Sequence, residues 1–198
     1  MIGLTMILGA YMMKKVALIS GSLRKASYNT ALLHHIEETY KHELKMEFVD
    51  ISAFPLFNED MEQTPPDCVV IARQQLKGSD GIIIATPEYN HSVPGTLKNA
   101  IDWFSREGGA MKKKPVLIMG CSTGQVGTAR SQSHLRQILN APGVQALPLP
   151  SNEILVAVAQ MKFDDNGQLL DDKTAKFIDG RLKRFVKWID DSAVWRED

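Results

Sequence analysis

Short apolar runs that alternate with amphipathic segments restrict the fold of this chain more than any other feature. The runs at 16–20, 81–86 and 115–120 consist almost entirely of apolar residues. A continuous apolar run of this length is typical of a strand that is covered on both faces, as in a parallel sheet. The segments between the runs carry apolar residues at helical spacing, and this alternation predicts an α/β fold.

Ten elements can be assigned, and together they predict a single doubly wound sheet. Strands are predicted at 16–20, 46–51, 81–86, 115–120 and 144–147. Helices are predicted at 29–42, 69–77, 94–104, 128–140 and 173–190, with Pro94 at a first helical position. Five strands interleaved with helices indicate a mostly parallel sheet with helices on both faces. No repeat or low-complexity linker divides the chain, so we expect a single domain over 14–198.

Residues 1–13 precede the first strand and are largely apolar. No basic residue stands before the apolar part, and Lys14 and Lys15 follow it, which is the wrong order for a secretory signal. The segment is also too short to span a bilayer. We expect a disordered leader, or an upstream start ahead of a natural start at Met12 or Met13.

The turn after the first strand has the composition of a phosphate-binding loop. It leads from Gly21 into the first predicted helix, whose N-terminus would present backbone N–H groups and a favourable dipole to an anion. Hydroxyl, amide and guanidinium donors are supplied by Ser22, Ser27, Thr30, Asn29 and Arg24. The glycines and lysine of a nucleoside triphosphatase or dinucleotide loop are missing, and Ser20 stands where a tyrosine phosphatase has cysteine. A loop that holds a terminal phosphate remains, and so does a plain helix N-cap with a surface arginine.

Two further loops are predicted to lie beside the first, because ligands of doubly wound sheets bind beyond the carboxyl ends of the strands. The loop after the third strand contains Pro87, Glu88, Tyr89 and Asn90. Its prolines and aromatic ring predict a rigid wall for a planar ligand, although an ordinary strand-to-helix turn has the same composition. The loop after the fourth strand contains Ser122, Thr123 and Gly124, small residues that let backbone approach a ligand. Together the three loops indicate a site for FMN.

Composition excludes several classes of partner. Lysine plus arginine equals aspartate plus glutamate, at 23 each, so no net charge would attract nucleic acid or an anionic membrane. Cys68 and Cys121 are the only cysteines, and no Cys-x-x-Cys spacing is present. We therefore expect no metal site, no disulfide framework and a reducing, cytoplasmic setting.

The three loops, with the segment 86–103 and the segment 120–130, resemble the NADPH-dependent FMN reductase family. The resemblance extends from about Met13 to the last helix, and Pro-Glu-Tyr-Asn at 87–90 is its most specific part. It implies a flavodoxin-like fold, bound FMN and NADPH as the electron donor. The implied acceptor is a quinone, an azo compound, chromate or free flavin. The sequence departs from the family at Gly127-Thr128, where Gly-Gly is frequent.

The resemblance also implies roles for the predicted residues. Phosphate contacts are implied for Ser22, Arg24, Ser27, Asn29 and Thr30. Ring contacts are implied for Pro87, Glu88, Tyr89, Asn90, Ser122, Thr123 and Gly124. Glu88 has the subunit interface as its alternative, because a carboxylate beside a reduced anionic flavin is unfavourable unless it is turned away. No side chain is assigned as catalytic, because the flavin carries the hydride chemistry.

The family implies a homodimer or homotetramer, with the helix at 94–104 in the contact and Arg106 within reach of a partner's site. One open face of the flavin would serve donor and acceptor in turn, which predicts ping-pong kinetics. We expect His91 to be a solvated loop residue rather than a proton donor, and Cys121 to be a buried spacer. The lysines at 112–114 are expected in a solvated turn, with NADPH phosphate binding as the alternative.

Two functions outside this reading remain open from the sequence. A flavodoxin-type electron carrier would bind FMN and dock on protein partners without turning over NADPH. Such carriers are typically acidic, whereas the charges of this chain balance. A regulatory or scaffolding protein would keep the fold without turnover.

Overall fold

The computed structural model describes residues 13–195. The leader predicted over 1–13 lies outside the described residues except for Met13. The strands are β1 (Lys14–Ser20), β2 (Leu44–Phe48), β3 (Gly81–Ala85), β4 (Pro115–Cys121), β5 (Leu147–Pro148) and β6 (Ile154–Val156). The helices are α1 (Tyr28–Tyr40), α2 (Asp67–Lys77), α3 (Gly95–Phe104), α4 (Ala129–Leu139) and α5 (Asp172–Asp191). No helix in this part of the chain combines the length and apolar content needed to cross a membrane.

All strand pairs are parallel, in the order β2-β1-β3-β4-β5, with β6 also paired to β4. This order confirms the predicted doubly wound sheet. The strand order reverses at β1, whose neighbours β2 and β3 lie on opposite sides, so a crevice opens beyond the carboxyl ends of β1 and β3.

The sheet is buried on both faces, and its residues alternate between two cores. Val16 and Leu18 of β1 face the core that also contains the apolar residues of α1 and α5. Ala17 and Ile19 face the core that is shared with α2, α3 and α4. This double covering is the reason that the central strands have continuous apolar sequences.

The fifth strand differs from its prediction. Instead of one strand at 144–147, the edge consists of β5, which pairs with the start of β4, and β6, which pairs with its end. Pro148 ends β5 and Pro150 lies within the break, and proline cannot donate a ladder hydrogen bond. Arg136 of α4 donates to the carbonyl groups of Leu149 and Asn152 and so holds the connection between the two pieces. Val144 lies in the turn before β5 and is buried there, so its apolar character indicates a strand although it does not belong to one.

Four predicted helix starts also move by one residue, and two of these shifts, at α3 and α4, involve a residue with a special backbone. Pro94 is the N-cap of α3 rather than its first helical residue. Thr128 is the N-cap of α4 and has a left-handed backbone, with φ 69°. Both shifts place an irregular residue at the carboxyl edge of the sheet, where the predicted loops meet.

Candidate functional site

The loops after β1, β3 and β4 meet at the carboxyl edge of the sheet and line one cleft of about 160 Å³. Its lining consists of Ser22, Arg24, Ser27, Tyr28, Asn29, Pro87, Glu88, Tyr89, Cys121, Ser122 and Thr123. The backbone N–H of Gly21 donates to the carbonyl of Ala85 at 2.8 Å, which fixes the first loop beside the third. The volume is small for a ligand pocket, so a planar ligand in this cleft would leave a face open.

The structure brings together nine of the twelve predicted site residues in this lining and leaves out Thr30, Asn90 and Gly124. Tyr28 and Cys121 line the cleft although the sequence did not single them out as ligand contacts. Tyr28 lies between two predicted residues, so its place in the loop was the only signal available. Cys121 ends β4 directly before the fourth loop.

The first loop ends in the capped N-terminus of α1. The Ser27 hydroxyl accepts a hydrogen bond from the N–H of Thr30 at 3.3 Å. The backbone N–H groups of 25–29 donate to no acceptor among the described residues. Unsatisfied N–H groups at a helix start are the donors that bind a phosphate.

Two of the predicted phosphate ligands, Asn29 and Thr30, use their side chains in hydrogen bonds within the protein. The amide of Asn29 donates to the carbonyl of Cys121 at 3.0 Å and accepts from its N–H at 2.8 Å. The hydroxyl of Thr30 shares a 2.7 Å hydrogen bond with that of Ser20. These contacts fix α1 to the ends of β4 and β1, so a phosphate would meet the backbone of this turn rather than these two side chains.

Arg24 is exposed and lies over the loop. Its Nε donates to the carbonyl of Ala26 at 2.9 Å, and its guanidinium lies 5.7 Å from the centre of the Tyr28 ring. Nη2 of the guanidinium donates to the same carbonyl, and the exposed side chain lines the cleft, where a guanidinium suits a phosphate.

The loop after β3 turns sharply at its tip. Tyr89 and Ser92 exchange backbone hydrogen bonds of 3.1 and 3.0 Å. Asn90 and His91 between them have φ values of 49° and 62°, which are the left-handed conformations of a tight hairpin turn. Half of the Tyr89 surface is exposed beside the cleft, while Pro87 is buried beneath it. The turn therefore presents an aromatic ring from a rigid support, and His91 is exposed at the tip.

Glu88 lines the cleft, and its carboxylate caps α4. Its carboxylate accepts hydrogen bonds from the backbone N–H groups of Arg130 and Ser131 at 2.9 and 3.2 Å, and from the Arg130 guanidinium at 3.1 Å. Burial alone would raise the pKa of Glu88, but these donors outweigh it and lower the pKa below the ordinary value. The Glu88 carboxylate is therefore bound by donors of α4 within the same chain, and its predicted ring contact stays a prediction.

Close backbone packing shapes the loop after β4. A Cβ on Gly120 would lie 2.0 Å from the Thr128 hydroxyl and 2.4 Å from the Thr86 carbonyl. A Cβ on Gly127 would lie 2.8 Å from the backbone of Leu155. The intervening thiol of Cys121 is buried, and burial raises its pKa to about 12, so it carries no thiolate at neutral pH.

Two other predicted features lie away from the cleft. The lysines at 112–114 precede β4 and therefore lie at the opposite, amino edge of the sheet, where Lys114 donates to the carbonyls of Lys77 and Ser79. This position is incompatible with binding the phosphate of a donor at the carboxyl edge. Arg106 forms a 2.9 Å ion pair with Glu62 and lies 4.7 Å from the centre of the Phe57 ring. Its predicted contact with a partner's site stays a prediction.

The residues present fit FMN. Backbone donors without acceptors suit its phosphate, and the aromatic side chain of Tyr89 suits its planar ring. The carboxylate nearest the cleft is already satisfied by α4, which removes the group that would repel a reduced flavin.

Comparison of the sequence with known proteins supports this interpretation of the site. A family model described as NADPH-dependent FMN reductase matches residues 14–160. The NAD(P)H-dependent FMN reductase of Pseudomonas aeruginosa is 44% identical over 177 residues, which cover 88% of this chain and 95% of the relative. The quinone reductase of Escherichia coli K12 is 37% identical, with coverage of 88% and 95%.

A solved structure extends the likeness to three dimensions. The flavoenzyme NAD(P)H:(acceptor) oxidoreductase of Paracoccus denitrificans superposes with a TM-score of 0.82 at 32% identity, covering 90% of this chain and 98% of its own. The three-loop cleft, the sequence match and this superposition lead to one assignment. The chain belongs to the NADPH-dependent FMN reductase family and is an oxidoreductase that uses FMN and NAD(P)H.

Proposed function

We propose that the protein holds FMN in the three-loop cleft and passes two electrons from NADPH to a small acceptor of the quinone type. The observation that carries this proposal is the meeting of three loops in one cleft, with unsatisfied backbone donors on one side and an exposed aromatic ring on another. FMN, when bound, supplies the chemistry that accepts a hydride and releases its electrons.

The role of the chain's own residues is to bind and orient FMN. The α1 N-terminus, Ser22, Ser27 and Arg24 hold the phosphate, mainly through backbone N–H groups. Pro87 and Tyr89 line the ring, and Ser122 and Thr123 lie at its edge. Thr30 and Asn29 support the phosphate site indirectly, because their side chains fix the loop to the sheet. The site residues act by placement, and none is assigned a proton transfer.

Donor and acceptor use the same open face in turn. The cleft is small, and residues 13–195 form one sheet without a second domain over the site. A ring lying on the loops leaves room for a second planar molecule on its outer face. This arrangement supports a ping-pong scheme and an acceptor that is a flat, two-electron oxidant.

The activities of related proteins support a quinone as the acceptor. Those that resemble this chain include the E. coli quinone reductase and a 2-hydroxy-1,4-benzoquinone reductase of Burkholderia at 35% identity. Azo compounds, chromate and free flavin meet the same physical requirement, which is access to an exposed ring. We further propose that the chain acts as a homodimer or homotetramer in the cytoplasm, with α3 in the contact.

Steady-state kinetics test the scheme. Initial rates at several NADPH concentrations and varied quinone are expected to give parallel reciprocal plots, with high quinone competing against NADPH. Intersecting lines, with a ternary complex found by rapid trapping, would contradict a shared face. An electron carrier would instead be reduced by a chemical reductant and show no NADPH turnover.

A further inference from the structure

A second, larger cleft adjoins the FMN cleft on the other side of the first loop. Its volume is about 620 Å³. Arg24, Ser27 and Tyr28 line both clefts, so the first loop forms the wall between them. The remaining lining comes from Lys25 and Ala26 of the first loop, from α1 and from the segment 160–167, which contains none of the predicted site residues.

The outer wall of this second cleft is a preformed hairpin. Phe163 and Leu169 pair across it, and the Asp164 backbone donates its N–H to the Gln168 carbonyl and accepts from the Gly167 N–H, at 3.0 Å each. The Asp164 carboxylate also accepts from the N–H groups of Asn166 and Gln168, at 2.9 and 2.7 Å, and is thereby committed to the turn. Gly167 packs against α1, where an added Cβ would lie 3.3 Å from Ala31.

The two walls have different chemistry. The inner wall carries the cations Arg24 and Lys25, together with His34 further along α1. Lys25 is exposed and forms no ion pair with any residue between 13 and 195. The hairpin wall presents the Asp165 carboxylate and the Asn166 amide. Cations suit phosphate groups, whereas a carboxylate and an amide suit the hydroxyl groups of a ribose.

Aromatic side chains lie between these walls. The rings of Tyr28 and Phe163 have centroids 5.4 Å apart, with Phe163 buried and Tyr28 half-buried. The Arg24 guanidinium lies over the same Tyr28 ring. Arg24 and Tyr28 together form a partly exposed surface of a cation and an aromatic ring, and a purine ring can pack against such a surface.

Building on the proposed function, we propose that this second cleft binds the adenosine-phosphate half of the nicotinamide dinucleotide. A donor that stacks on the flavin ring extends beyond the FMN cleft of about 160 Å³, and the adjoining cleft shares Arg24, Ser27 and Tyr28 with it. Phosphate groups would meet Lys25, and ribose hydroxyls would meet Asp165. The phosphate that distinguishes NADPH from NADH adds a charge on the cationic side, which predicts a preference for NADPH.

Calorimetric titration of the FMN-loaded protein with adenosine 2′,5′-bisphosphate tests this subsite. Lys25→Gln is expected to weaken binding roughly fivefold, which is the upper range for an exposed ion pair, and Lys25→Glu to weaken it further. Lys41→Gln is the matched control, because Lys41 is an exposed lysine at the other end of α1 and lines neither cleft. FMN affinity is expected to stay within about twofold in all three variants.

The outcomes separate this subsite from the proposed function. Lys25 variants that bind the bisphosphate like wild type would overturn the subsite even if NADPH turnover is normal. Equal losses of FMN and bisphosphate affinity would also overturn it, because Lys25 would then serve the FMN phosphate. Absence of FMN binding and NADPH turnover in the unmodified protein would contradict the proposed function itself.

Discussion

At the scale of single residues, the structure divides the predicted phosphate ligands into two groups. Asn29 and Thr30 were predicted from their donor groups, and both donors are used to fix α1 to the sheet. A residue type reports what a side chain can donate, but only the fold decides which acceptor it meets. Glu88 illustrates the same limit, since its cap on α4 joins positions 42 residues apart in the chain.

Arg24 provides a residue-scale prediction. Its guanidinium is exposed, so solvent weakens its contact, and Arg24→Ala is expected to cost about 1.5 kcal/mol of FMN binding, the lower end for a hydrogen bond to a charged group. Riboflavin, which lacks the phosphate, should bind almost equally to both proteins. Fluorescence titrations with the two flavins measure the difference, with Arg184→Ala as a control on α5. Equal weakening of both flavins would show that Arg24 supports the loop structure instead.

Glu88 gives a pH-dependent prediction. Its pKa is lowered below 4.5 in the folded protein, so its stabilising effect is present above that value and is lost as the pH falls through the folded pKa. Glu88→Gln is expected to lower the free energy of unfolding by about 0.5–2 kcal/mol at pH 7, as the loss of a helix cap does. Urea denaturation at neutral and acidic pH should show this difference shrinking in acid. The exposed Glu43→Gln serves as the control, and a difference that is independent of pH would argue against an ionised cap.

At the scale of elements, continuous apolar runs located β1, β3 and β4 correctly, because burial on both faces leaves a clear pattern. Strand β2 has no such run, and its predicted range of 46–51 is displaced from the observed Leu44–Phe48. The edge was predicted poorly. A strand of two residues followed by another of three has too few positions to show a periodic pattern of apolar residues. Pro148 also makes the first piece look unlike a strand. Val144 and Ala146 are buried by packing on α4 rather than by strand pairing, so their apolar character pointed to the wrong residues.

The close approach of β4 to the loops gives an element-scale prediction. Gly120→Ala would place a methyl group against the Thr86 backbone oxygen, which cannot rotate away, so the free energy of unfolding should fall by about 1–3 kcal/mol or more. Gly180→Ala on α5 meets no atom within 4 Å and should instead raise stability by about 0.5–1 kcal/mol. Chemical denaturation of the two variants compares them directly. A Gly120→Ala protein as stable as wild type would mean that this edge is more loosely packed than the structure shows.

At the scale of the whole molecule, the order of the strands explains why three distant loops form one site. The neighbouring strands β1, β3 and β4 place their carboxyl ends side by side. Segments near positions 25, 88 and 122 therefore meet in space although they are far apart along the chain. The sequence predicted this meeting because the position of a ligand site follows from the topology of a parallel sheet. It did not predict the second cleft, which depends on how the hairpin at 163–169 packs against α1.

The visible spectrum of the purified protein, followed during anaerobic titration with NADPH, tests the central claim most directly. We expect a yellow protein with one FMN per chain, whose flavin absorbance is lost on addition of NADPH and returns on addition of a quinone. A colourless protein that takes up no FMN on titration would contradict the assigned cleft. A yellow protein that is bleached by a chemical reductant but not by NADPH would contradict the proposed electron donor.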